Sequence, residues 1–76
     1  MCRSIKPLYN FDPPASNEEI HNAAVQFVRK VSGFRQPSQV NQKAFDEAVL
    51  AVSKDVKILL ESLKTNSKPK DRHDKN

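Results

Sequence analysis

Between Ser16 and Leu63 two amphipathic helical patterns run without interruption, parted only by Gly33-Phe34-Arg35-Gln36-Pro37-Ser38, which holds the chain's single glycine. A six-residue connection between two helices predicts an antiparallel hairpin. Ser16 and Glu19 stand in the capping-box relation, and Glu18 and Glu19 put negative charge at the positive end of the helix dipole. Ile20, Ala23, Ala24, Phe27, Val28 and Val31 follow at offsets of three and four, so they share one face. Arg29 and Lys30 fall in the last turn, and Gly33 suits the left-handed position that closes a helix. This predicts a first helix of about 17 residues, about 25 Å long.

Pro37 stops any continuation, and Ser38 is the expected N-cap of a second helix reaching about Lys64. Phe45, Ala48, Val49, Val52, Val56, Leu59, Leu60 and Leu63 fall within one arc, with Val40, Ala44, Ala51 and Ile58 as a second stripe beside it. Lys43, Glu47, Lys54, Lys57 and Glu61 take the opposite side. At about 27 residues and about 40 Å this helix outruns the first by roughly 15 Å. Val56, Leu59, Leu60 and Leu63 lie toward the excess and are the expected interface residues.

The flanks differ in kind. Residues 1–15 carry Ile5, Leu8, Tyr9 and Phe11 without helical period, broken by Pro7 and closed by Asp12-Pro13-Pro14, which predicts an extended N-terminal arm lying across the helices. Residues 16–64 form the hairpin domain. Residues 65–76 have no large apolar side chain and much charge, which predicts a disordered basic tail. The fold class is therefore all-α: a two-helix antiparallel hairpin with an N-terminal arm, completed as a helical bundle by dimerisation. A 76-residue core rarely contributes more than about 3–5 kcal/mol without a disulfide, metal or partner subunit.

Charge and cysteine usage narrow the function classes. The net charge of +4 would suggest nucleic acid, but residues 64–76 hold five Lys/Arg against two Asp, which leaves eight basic and seven acidic residues in 1–63. The hairpin is nearly neutral. One cysteine cannot bridge within the chain, and no apolar run approaches a membrane span or a signal-peptide core, so a cytoplasmic protein is expected.

Met1-Cys2-Arg3-Ser4-Ile5-Lys6, then Asn10-Phe11-Asp12-Pro13-Pro14, then Val28-Arg29-Lys30-Val31-Ser32-Gly33-Phe34 followed by Pro37-Ser38 and Asn41, resemble one small family. That family is catalogued as a domain of unknown function, number 2277. The resemblance covers residue 1 to about Leu63, with an echo in Pro69-Lys70-Asp71-Arg72. It implies a short, mainly helical bacterial protein with no known activity. Members often continue past the echo with an Arg- and Ala-rich, helix-prone stretch.

No catalytic constellation emerges, so no enzyme activity and no cofactor are expected. Cys2 has intrinsic chemistry: removal of Met1 would place an amine and a thiol on one residue, a pair suited to a soft metal or to nucleophilic attack. The plainer reading is a small side chain packing the arm. His21 and His73 lack partners at ligand spacing. Arg29, Lys30 and Arg35 bracket the turn and form a candidate anion site, although basic residues at a helix C-terminus are ordinary dipole electrostatics. Phe34 is expected to fold back in the cap and core. A helix-turn-helix reading fails, because the second helix is too long and alternates Lys and Glu where base readers carry Arg, Asn or Gln. The reading favoured is a non-catalytic protein-interaction or scaffold module, a homodimer. The alternatives are a Cys2-centred metal or redox function, and weak nucleic-acid association through the tail.

Overall fold

A computed structural model describes residues 5–71. Two helices, α1 (Asn17–Ser32) and α2 (Gln42–Ser62), pack against each other, and a 3-10 turn (Gln39–Asn41) leads into α2. A two-residue strand in the arm, β1 (Phe11–Asp12), pairs in parallel with β2 (Lys70–Asp71).

The start of α1 follows the sequence. Ser16 Oγ accepts from the Glu19 N–H at 3.1 Å, and Glu19 Oε1 accepts from the Ser16 N–H at 2.8 Å, so two otherwise orphaned donors are satisfied. Ser16→Ala removes one bond of this reciprocal pair and should cost about 1 kcal/mol. In a domain of this size that lowers the melting temperature by about 4–8 °C, readable by thermal circular dichroism. No loss would show that the box is made only transiently.

Gly33 takes φ +79° and its N–H donates to the Arg29 carbonyl at 2.9 Å. This single bond closes the helix in the simple left-handed manner. Phe34 departs from the expected closure in the core: its N–H donates to Ser32 Oγ at 3.1 Å rather than to a helix carbonyl, and its side chain is exposed.

The second helix is shorter than its periodicity suggests. Ser38 caps only the 3-10 turn, and its hydroxyl accepts from Asn41 Nδ2 at 3.0 Å instead of from a backbone N–H. Regular α-helix begins at Gln42 and ends at Ser62, with Leu63 already extended. Its 21 residues exceed the 16 of α1 by about 8 Å, roughly half the mismatch expected.

The buried residues are few. Among the described residues they are Ile20, Ala24, Val28 and Val49, with Val25, Phe45, Ala48 and Val52 packed around them. Only the main arc of α2 meets α1. The second stripe, Val40, Ala44, Ala51 and Ile58, is exposed, because one partner helix covers one side of another.

Two flanking segments are joined by the β1–β2 pair. The Lys70 N–H donates to the Asn10 carbonyl at 2.9 Å, Asn10 Nδ2 reaches the Ser67 and Lys68 carbonyls at 3.5 and 3.4 Å, and Lys70 Nζ stands 5.9 Å from the Phe11 ring centroid. Asn10 adopts φ +66°, a conformation Asn tolerates better than most residues. Composition predicts no structure after Lys64, yet residues 70–71 are a strand. The order comes from backbone hydrogen bonds, which a count of apolar side chains does not register.

Candidate functional site

The arm reaches the helices through Ile5 and Leu8. With Ala23 and Phe27 of α1 and Val56 and Leu60 of α2 they line an apolar groove of about 370 Å³. Only Lys6 among its lining residues is charged. Val56 and Leu60 are half-buried, whereas Leu59 and Leu63 remain 53% and 43% exposed and Phe27 47%. The four expected interface residues thus divide into two that line the groove and two that stay open. Val56 and Leu60 line grooves with both the arm and α1, whereas Leu59 lies further round α2 from the buried Val49.

A second groove, about 470 Å³, lies under the next stretch of arm, where Tyr9, Asn10 and Phe11 face Ile20, Lys57 and Leu60. Lys57 belongs to the polar side of α2 by periodicity. It lines a groove only because the arm crosses there.

The basic residues around the turn do come together. Arg29 and Lys30 from the last turn of α1, Gly33 at the turn, Arg35 beyond it and Gln26 one turn back line a depression of about 440 Å³. Lys30 and Arg35 are exposed, whereas Arg29 is partly buried, and its Nε is buried with no hydrogen-bond partner. Gln26 is the member that sequence reasoning missed; its place one turn before Arg29 on α1 was the available clue. Such a depression offers guanidinium, ammonium and amide donors to an anion.

His21 is exposed on α1. Cys2 and His73 lie outside the described residues. Among the described residues no group of three His, Cys, Asp or Glu is placed to hold a metal ion, and no helix is long and apolar enough to cross a membrane. Ser53 Oγ is buried without a hydrogen-bond partner.

A family model described as "Uncharacterized conserved protein (DUF2277)" matches residues 1–76. The chain belongs to that family, and the match extends through the tail, beyond the Leu63 limit of the motif resemblance. No curated protein and no solved structure matches it.

Proposed function

We propose that this member of the DUF2277 family is a non-catalytic, cytoplasmic protein-interaction module that acts as a homodimer. In this reading the hairpin is antiparallel and a second copy completes it as a helical bundle. The antiparallel arrangement is supported by Ile20, early in α1, and Leu60, near the end of α2, lining one groove.

The observation that carries the proposal is exposed hydrocarbon: Phe27, Leu59 and Leu63 are each about half exposed, and Phe27 also lines the apolar groove beside the arm. Exposed apolar surface of this kind favours association, because covering it removes hydrocarbon from water at about 25 cal/mol per Å². The protomer buries only four hydrophobic residues among those described, so a partner surface supplies stability that it lacks by itself. A two-fold axis would make the contact self-complementary.

The test is the mass of the full chain in solution, measured with its melting temperature over a hundredfold concentration range. A dimer mass at tens of micromolar and a melting temperature that climbs with concentration are expected, since mass action favours the assembled state. A monomer mass with a constant melting temperature refutes the proposal.

A further inference from the structure

We propose that the depression at the end of α1 binds a phosphate group, as inorganic pyrophosphate or as the polyphosphate of a nucleotide. Arg29, Lys30 and Arg35 bring three positive charges to one concave surface, and no carboxylate lines it. The acids of α1, Glu18 and Glu19, stand ten or more residues back, about 15 Å along the helix, and Glu19 is engaged in the capping box.

Helix-dipole electrostatics account for Arg29 and Lys30, which lie in the last turn. They do not account for Arg35, which lies past Gly33. The left-handed turn at Gly33 brings Arg35 back to the same depression, where it adds to the repulsion among like charges. A bound oxyanion reverses that term.

Arg29 gives the second argument. Its Nε is a buried donor with no acceptor, an arrangement that costs more than an exposed unpaired donor because the group has lost water and gained nothing. Burial of Nε holds the Arg29 side chain at the wall of the depression it lines, and the planar guanidinium suits the paired oxygens of a phosphate. Gln26 adds an uncharged amide donor. None of Phe27, Leu59 and Leu63 lines this surface, so the proposal stands apart from self-association.

The experiment is an NMR titration of the isotope-labelled full chain with pyrophosphate and, separately, with a nucleoside triphosphate. Saturable shifts confined to residues 26–35 are expected. Arg29→Gln should weaken pyrophosphate about tenfold or more, with Arg29→Lys, which keeps the charge but not the fork, between the two. Lys68→Gln/Lys70→Gln in the tail should change the affinity by less than about twofold. Lys30→Gln/Arg35→Gln, two exposed positions that pose little risk to folding, should show the same loss as Arg29→Gln. A nucleoside triphosphate that binds tighter than inorganic tripolyphosphate, titrated alongside, identifies the nucleotide as the source; equal affinity of the two identifies the phosphate group alone. The proposal is overturned by shifts spread evenly over the lysines, by equal weakening in the tail variant, or by unchanged affinity in Lys30→Gln/Arg35→Gln.

Discussion

Leu59→Asp is expected to give a monomer at tens of micromolar while leaving the helical signal of the protomer nearly intact. In an isolated protomer Leu59 is about half exposed, so a carboxylate there stays hydrated and costs little beyond helix propensity and an unfavourable place near the negative end of α2. Against a second copy the same carboxylate is buried without a partner, at about 3–5 kcal/mol. That is a weakening of a hundredfold or more in the dissociation constant. Leu50→Asp is the matched control. Leu50 is also exposed, but it lies nine residues before Leu59, half a revolution round the helix, and so faces away from the groove. Sedimentation of both variants beside the native chain separates the two outcomes. Equal dissociation by both would point to general charge repulsion, and a Leu59→Asp chain that remains a dimer would place the contact elsewhere.

Ala24→Leu is expected to destabilise the fold clearly. Ala24 is 1% exposed and clusters with Val28 and Val49, with Phe45, Ala48 and Val52 nearby, so its small side chain sits where α1 packs against α2. Three more carbons at that point force the helices apart or drive neighbours off their rotamers, at about 1–3 kcal/mol. A small domain has little margin to absorb this, and a fall in melting temperature of about 10 °C or more follows. Ala44→Leu and Ala51→Leu add the same carbons at exposed positions of α2 and should be close to neutral. A neutral Ala24→Leu would show that the helices do not close-pack at this level.

Both expectations depend on helix faces, which were the most legible part of the sequence. Ile20, Ala24 and Val28 of the first apolar row are buried, Val49 is the buried residue of the second, and the Ser16–Glu19 box and the Gly33 turn sit where local chemistry requires them. These features depend on contacts within a few residues, and such contacts are written directly in residue order. The candidate anion residues Arg29, Lys30 and Arg35 were legible for the same reason, since a short turn brackets them.

The departures from local expectation have a shared cause as well. The usual closure of a helix end places Phe34 in the core, but its N–H donates to the Ser32 hydroxyl and its side chain is exposed. Ser38 has the chemistry of an N-cap for the second helix, but its hydroxyl accepts from Asn41 and a 3-10 turn intervenes. At each place two local hydrogen-bonding solutions of similar energy compete, and composition does not choose between them.

By itself, then, the sequence determined the two helices, the N-terminal box and Gly33 turn of the first, the main apolar faces and the cluster of basic residues at the turn. Only the tertiary structure decided that Ile5 and Leu8 of the arm line a groove with Val56 and Leu60, and that residues 70–71 form a strand against Phe11 and Asp12. The physical reason is separation along the chain. Helices are specified by interactions over three or four residues, whereas the path of an aperiodic arm and a parallel pairing across nearly sixty positions depend on where distant backbone groups meet.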